Sequence, residues 1–592
     1  MGIASRLERR SKLAGGAIIS RMLAAEGVDT VFGIIDGTYM GMYSAFGGDG
    51  INLITPRHET SGVHMAGAYA RLTGKLGVVI ASNGPGVANA LPGVAVEEAE
   101  GNRVLLITSS RRHGIVHPDR GGTFQCFPQV QVIGAMSKWS AAVPSGDRVA
   151  ELLRRALRAC YTGRPGVVHL EVPEDVMNGT LEEDPAWFRP VAQYRPTEPL
   201  TPSESQVRRA LDLLAAARKP LIHVGSGVIH AGCYDAVRRF AEQHEAALTT
   251  SWAARAAIDE RDPRAVPMWA VDAVRRARND ADLVLVLGSR LGETDFWGKA
   301  PYWATPDKQK LIQVDLDLEH LGNNRPVELA VQADVGAFLD AALAAPSGAG
   351  ADLAGRRKWL EALGKDASAR RRQMDKHLTK DGSPMHPARI PTATQAVLDD
   401  DAIVVIDGGN TSIWSHFFHE VRVPNTLLGT PKMGMLGAGV AQALGAKAAC
   451  PDRQVICLIG DGAFGFHPQE VETAVRAGLQ VVWIVFCDRQ WGMVKINQHF
   501  ALRPVKTLIK KTLPAEECIN TDLGEIRFDD LARSMGAHGE RVASPADLPA
   551  ALERALASGK PAVIHADVDR VAHLWAPNLR TFKDMHQEPA GR

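Results

Sequence analysis

Short, unbroken apolar runs alternate with longer stretches of mixed polarity along most of the chain. That pattern predicts buried parallel strands separated by crossover helices. From Ala14 to about Asn178 the runs are Val78–Ala81 (VVIA), Val104–Thr108 (VLLIT) and Val167–Val172 (VVHLEV). The turn Ser145-Gly146-Asp147 predicts Asp147 as the N-cap of a helix over Val149–Tyr161, which Gly163-Arg164-Pro165 would end. From about Gln206 to Ala345 the runs are Pro220–Val224, Leu283–Leu287 and Leu311–Val314. From about Pro391 to Val571 they are Ile403–Ile406, Val455–Ile459, Val481–Phe486 and Ala562–Ala566.

Two stretches interrupt the alternation. Arg189–Ser205 is polar and carries Pro190, Pro196, Pro199 and Pro202, the composition of a linker. Pro346–Ile390 mixes small residues with a charged helical stretch, Arg356–Lys376. The predicted organisation is therefore three domains, 14–188, 206–345 and 391–571, with a C-terminal tail, 572–592. The expected fold class is α/β, three doubly wound parallel sheets with sites at the carboxyl ends of their strands.

Composition narrows the function classes. A length of 592 residues suits three large domains, and 45% apolar with 23% charged residues excludes disorder of the whole chain. The 67 basic and 67 acidic residues balance, so there is no electrostatic footprint for nucleic acid or anionic lipid. Small molecules and other copies of the chain are the expected partners. No run of about 18 apolar residues predicts a membrane span. Arg6, Arg9, Arg10 and Lys12 read as the basic cap of a cytoplasmic enzyme, because Arg21 and Glu26 interrupt the apolar core a signal peptide needs. Seven cysteines without a CxxC fit thiols in a reducing compartment.

The chemistry is concentrated in the third block. Asp461 follows a strand within Ile459-Gly460-Asp461-Gly462-Ala463, and Asp488 follows the next strand in Cys487-Asp488-Arg489-Gln490. One crossover helix separates them, so a parallel sheet brings both carboxylates to one edge. Two carboxylates, a carbonyl and phosphate oxygens are the ligand set Mg²⁺ prefers. The adjacent glycines let backbone approach phosphates closely. In the second block, Gly225-Ser226-Gly227 lacks the third glycine of a dinucleotide fingerprint and reads as a structural turn. In the first, Glu59 follows the run Ile51–Thr55 in Pro56-Arg57-His58-Glu59-Thr60-Ser61-Gly62. Read alone, it is a charge at a helix N-terminus.

Together these segments resemble the thiamine-diphosphate-dependent enzymes of acetolactate synthase (acetohydroxyacid synthase) and pyruvate oxidase type. The family's GDG is followed, one crossover later, by Asn-Asn. Here Cys487-Asp488 stands in that place, which adds a negative charge. The stretch from Arg57-His58-Glu59 to Ala66-Gly67-Ala68-Tyr69-Ala70-Arg71 resembles the RHE…AxGYAR signature. By that match Glu59 is the catalytic acid beside the cofactor aminopyrimidine, and Asp461, Asp488 and the Gln490 backbone carbonyl hold the metal. Ser82 to Asn89 is similar to the TSGPGATN loop, which makes Pro85 and Asn89 cofactor-binding. Gly408-Gly409-Asn410-Thr411, with Gly462 and Ala463, is similar to the diphosphate-holding turns. Gly434-Met435-Leu436-Gly437 is similar to GAMG, with Gly434 bonding the pyrimidine and Leu436 as the wedge behind the cofactor's bend.

The resemblance also implies a substrate end. Thr123-Phe124-Gln125 and Lys138 are similar to the synthase's AFQE segment and the lysine after it; Trp491-Gly492-Met493-Val494 is similar to its HLGMV turn. Gln125, Lys138, Trp491, Met493 and Val494 are accordingly expected to face substrate, although Lys138 reads equally as a surface lysine and Trp491 and Met493 as core. The synthase's FAD-binding histidine and second arginine have no counterpart in Pro267–Val271 and Arg290–Asp295, so FAD is not expected. Gln490-Trp491-Gly492 with Lys495 is similar to sulfoacetaldehyde acetyltransferase, and Ala463–Phe466 to 2-hydroxyacyl-CoA and oxalyl-CoA lyases. His573–Met585 reads as a lid or a docked end. The first reading is a thiamine-diphosphate- and Mg²⁺-dependent 2-oxo acid decarboxylase/carboligase, a homodimer or homotetramer with sites at subunit interfaces. The alternatives are the lyase, the acetyltransferase and a cofactor-binding regulatory homologue.

Overall fold

A computed structural model describes residues 11–118, 120–346 and 351–585. The basic cap Arg6, Arg9 and Arg10 and the last residues of the tail lie outside these. The chain forms two compact units, divided between Thr197 and Glu198.

The first unit is built on a six-stranded parallel sheet. Its strands run in the order Asn52–Ile54, Thr30–Gly33, Gly77–Ala81, Val104–Ser110, Val167–Pro173, Trp139–Ala142. The central strands are unbroken apolar runs because both faces are covered. Val78, Ile80, Leu105 and Ile107 point to one face, where the helices Gly15–Ala25, Met40–Phe46 and Val149–Tyr161 share their core. The alternate residue Val79 lies against Gly62 on the other face, where the helices Glu59–Thr73 and Pro85–Glu100 pack together. The helix Val149–Tyr161 has its predicted limits, but Asp147 is not its N-cap. It lies in a 3₁₀ turn, Gly146–Arg148, where its carboxylate accepts the Ser145 hydroxyl at 2.5 Å.

The second unit contains two further parallel sheets. The five-stranded one runs Ala247–Thr250, Pro220–Val224, Leu283–Leu287, Lys310–Asp315, Leu329–Gln332. The strand order reverses between Pro220–Val224 and Leu283–Leu287, where ligands of open α/β sheets bind. Here backbone closes that crevice. A Cβ on Gly225 would lie 2.2 Å from the Gly288 carbonyl oxygen, and one on Gly227 2.7 Å from the Gly288 Cα. The Gly225-Ser226-Gly227 turn is thus required by internal packing.

The six-stranded sheet runs Leu427–Leu428, Ile403–Asp407, Val455–Gly460, Val482–Cys487, Ala562–Asp567, His538–Val542. Its order repeats that of the first unit. Both linker readings need refinement. The first ends at Ser203, whose hydroxyl forms a capping box with Gln206 and starts the helix Glu204–Ala216. The second contains the helix Leu353–Met374, docked by the buried Arg356, which donates to the carbonyls of His244, Leu214 and Ala217.

Candidate active site

In the first unit the candidate residues gather at the carboxyl edge of the sheet. Glu59 is the first residue of the helix Glu59–Thr73, capped by His58, whose Nδ1 accepts from the Thr60 N–H at 3.2 Å. Its side chain is 8% exposed, and Oε2 accepts from Asn89 Nδ2 at 3.0 Å. Pro85 opens the helix Pro85–Glu100 behind Gly84, which has φ +68°. A Cβ on Gly86 would stand 2.6 Å from Ser82 Oγ and 3.3 Å from Glu59 Oε1, so only glycine leaves room beside the acid. The exposed Gln125, with φ +53°, lies over this loop, and its carbonyl accepts from Asn83 Nδ2 at 2.8 Å.

Sequence reasoning missed Gln129, a buried residue that fixes the loop. Its Oε1 accepts from the Gly84 N–H at 2.7 Å, and its Nε2 donates to the Ser109 carbonyl and to Glu171 Oε2. The only signal was an amide among apolar residues in a short helix.

Lys138 is not part of this group. It precedes the strand Trp139–Ala142, whereas Glu59 follows the strand Asn52–Ile54, so the parallel sheet puts them at opposite edges. Its ammonium donates to the carbonyls of Thr162 and, at 2.8 Å, Arg164. Burial lowers its pKa from the usual lysine value.

In the second unit Asp461 follows Val455–Gly460 and Asp488 follows Val482–Cys487, neighbouring strands with Gly460 opposite Phe486. Both carboxylates are buried, at 8% and 2% exposure. Asp461 Oδ1 accepts from the Gly462 N–H at 2.7 Å and Oδ2 from the Arg489 N–H at 2.6 Å. Arg489 is held at φ +54°, a strained conformation for a residue with a Cβ. Burial and the neighbouring Asp488 push the Asp461 carboxyl up to about 7. Two buried carboxylates that resist being charged together call for a cation between them.

A cradle for phosphate stands beside the pair. The strand Ile403–Asp407 ends in Gly408, φ +103°, and Gly409, and the helix Asn410–Phe418 follows with its first amides available to an anion. Asn410 and Thr411 are buried. A Cβ on Gly462 would meet the Trp491 ring at 2.6 Å, and one on Gly409 would meet Met493 Cβ at 3.0 Å. Ala463 is buried behind Gly462. Trp491 and Met493 are therefore partly packed against the cradle, and Val494 is exposed. The Gln490 carbonyl accepts from the Gly492 N–H at 2.9 Å, leaving one lone pair for a metal. A cavity of about 400 Å³ opens beside Asp461, lined in part by Phe466, Trp491 and Ile526.

Leu436 is half-buried after Gly434, φ +61°. Its segment is fixed by Asp407, another residue the motifs missed, which accepts from the N–H groups of Gly437 (2.9 Å) and Gly439 (2.8 Å). A carboxylate closing an apolar strand just before Gly-Gly was the available signal. These residues fit a diphosphate bridged to the protein through a divalent cation: an anion cradle, two buried carboxylates on adjacent strands, and glycines where a side chain would intrude.

Near the central sheet, Trp269 is 6% exposed and covered by Arg371, whose guanidinium carbon lies 4.0 Å from the ring centre. Asp295 is buried against Arg278 (3.0 Å) and His223 (3.3 Å). Among the described residues no helix is long and apolar enough to cross a membrane.

Comparison with known proteins agrees with this chemistry. Three models of thiamine pyrophosphate enzymes match: the N-terminal TPP binding domain over residues 13–132, the central domain over 207–342 and the C-terminal TPP binding domain over 407–566. A probable acetolactate synthase of Mycobacterium bovis is 31% identical over 95% of this chain and 97% of its own. A probable acetolactate synthase large subunit of Methanococcus aeolicus is 27% identical over 94% and 92%. The large subunit of acetolactate synthase isozyme 3 of Escherichia coli is 26% identical over 96% and 97%.

Proposed function

Because the chain belongs to the thiamine pyrophosphate enzymes of acetolactate synthase type, we propose that it is a 2-oxo acid decarboxylase/carboligase. The observation that carries the reading is the buried pair Asp461 and Asp488 beside the Gly408–Thr411 cradle. In this reading residues 14–188, 206–345 and 391–571 are the pyrimidine-binding, central and diphosphate-binding domains. When bound, thiamine diphosphate supplies a carbon nucleophile and an electron sink for the bond being made or broken.

The protein's own part is to place that group and move protons. Asp461, Asp488 and the Gln490 carbonyl would hold Mg²⁺, and Gly408 to Thr411 with Gly462 would hold the diphosphate. Gly434, Leu436, Pro85 and Asn89 would flank the aminopyrimidine. Glu59 would hold or pass a proton at Oε1, since Oε2 already accepts from Asn89. Gln125, Trp491, Met493 and Val494 would face substrate. Lys138 no longer stands in that set. Glu59 and Asp461 would serve one site from two chains, which makes a cytoplasmic homodimer or homotetramer the active unit. FAD is absent from this reading, because Pro267–Val271 and Arg290–Asp295 lack the histidine and second arginine that the resemblance would require.

The test is a panel of 2-oxo acids, acyl-CoA esters and sulfoacetaldehyde offered to the holoenzyme, with products read by mass spectrometry. Pyruvate consumption with a carboligation product is expected. Turnover of an acyl-CoA ester or of sulfoacetaldehyde alone would replace this reading with the lyase or the acetyltransferase.

A further inference from the structure

The segment after the last strand is tied to the metal-ligand turn. Residues Arg570–Leu574 form a short helical turn capped by Asp569, whose Oδ1 accepts from the N–H groups of Val571 and Ala572. His573, in that turn, is 3% exposed, and its ring stacks on Phe486 with centroids 6.1 Å apart. Its Nδ1 lies 2.5 Å from Asp488 Oδ2, and its Nε2 lies 3.2 Å from Thr411 Oγ1. A neutral imidazole donating at Nδ1 and accepting the threonine hydroxyl at Nε2 satisfies both contacts.

The backbone is tied as well. The His573 carbonyl accepts from Asn410 Nδ2 (3.2 Å) and Trp414 Nε1 (3.1 Å). Gln490 Nε2 donates to Asp488 Oδ2 (2.9 Å) and to the Arg570 carbonyl (2.8 Å). The Asp488 oxygen Oδ2 thus receives both His573 and Gln490. That leaves Oδ1 as the oxygen for a cation.

We propose that His573 is a positioning residue of the metal site: it orients Asp488, and through Thr411 and Asn410 it joins docking of residues 570–574 to cofactor loading. The proposal rests on reading Asp488 as a metal ligand. His573 does not touch the reacting atoms. Its removal leaves that buried carboxylate oxygen one donor short, held by Gln490 alone, so the orientation of Oδ1 toward the cation is weakened. By linkage, whatever the docked turn contributes to cation binding, the bound cation returns to docking of the turn.

Three variants and two readouts test it. Mg²⁺ affinity is measured by calorimetry at saturating thiamine diphosphate, and hydrogen exchange is followed over residues 570–574 with and without Mg²⁺ and cofactor. His573→Phe keeps the stacking on Phe486 but loses both nitrogens; its Mg²⁺ affinity should fall about tenfold or more, as expected for a hydrogen bond to a charged group. Its turn should gain little protection on loading, whereas the wild-type turn gains much. His573→Asn, which places a donor near the Nδ1 position, should recover affinity to within about threefold, while His573→Gln should not. Wild-type affinity in folded His573→Phe or His573→Gln overturns the proposal, as does equal protection of the turn with and without cofactor. Asp461→Ala is the control for the underlying reading. If it retains wild-type Mg²⁺ affinity, the metal assignment itself fails; if it alone loses affinity, only the role of His573 fails.

Discussion

The sheets of residues 30–173 and 403–567 have the same strand order, yet their carboxyl edges carry different chemistry. In the first, Glu59 stands at the edge with Asn89 Nδ2 as its amide partner and Gly86 in the space beside it. In the third, the same kind of edge presents two buried carboxylates on adjacent strands, a helix N-terminus and a turn strained at Arg489. One edge is suited to moving a proton and the other to holding charge still. The fold supplies equivalent positions after each strand; the residues placed there decide the task.

If this division holds, damage to the third edge should abolish binding and damage to the first should abolish only chemistry. Asp461→Ala should have the largest effect. Thiamine diphosphate affinity measured by calorimetry with Mg²⁺ present should fall by about a hundredfold or more, to the level wild type shows in EDTA, because diphosphate charge would face Asp488 without a cation. Unchanged affinity would erase the contrast between the edges.

Glu59→Gln should come next. Turnover and exchange of the cofactor C2 proton, followed by NMR, should fall by about 10² to 10⁴, the usual contribution of a positioned acid or base. Cofactor affinity should stay within about threefold of wild type, so a large loss of affinity would show that the first edge also holds charge. Asn89→Ala removes the donor to Glu59 Oε2 and sharpens the same point. It should slow C2 exchange by about tenfold, the worth of one hydrogen bond to a carboxylate, with a smaller loss of cofactor affinity.

Lys138→Ala should be the smallest. Its ammonium holds the carbonyls of Thr162 and Arg164 at the edge away from Glu59. Thermal unfolding should show a loss of about 1 kcal/mol, with KM for the substrate changed less than about twofold. A tenfold rise in KM would return Lys138 to the substrate set.

The local readings survived because they depended on neighbours in sequence. Unbroken runs such as Pro220–Val224 and Leu283–Leu287 became strands at their predicted limits, since a strand covered on both faces needs apolar residues throughout. Asp461 and Asp488 could be placed together from the chain alone, because each closes a strand and one crossover makes those strands adjacent. Short or polar-flanked strands such as Leu427–Leu428 and His538–Val542 left no such signature. Asp147 is a local miss: a 3₁₀ turn, Gly146–Arg148, stands where the sequence placed it as a cap.

The sequence by itself determined the three α/β modules and the meeting of Asp461 and Asp488 at one sheet edge, because periodicity and motif spacing are local and each motif is anchored to the end of its own strand. Tertiary structure alone decided which edge of a sheet a residue occupies and which distant partner reaches it. Lys138 left the site because it precedes its strand, a fact that depends on the direction of the whole sheet. Gln129, Asp407 and His573 entered because burial forces polar groups to find partners, and those partners are distant in the chain. The stretch His573–Met585 could be read as lid or docked end; the bonds of His573 to Asp488 and Thr411 dock its first residue.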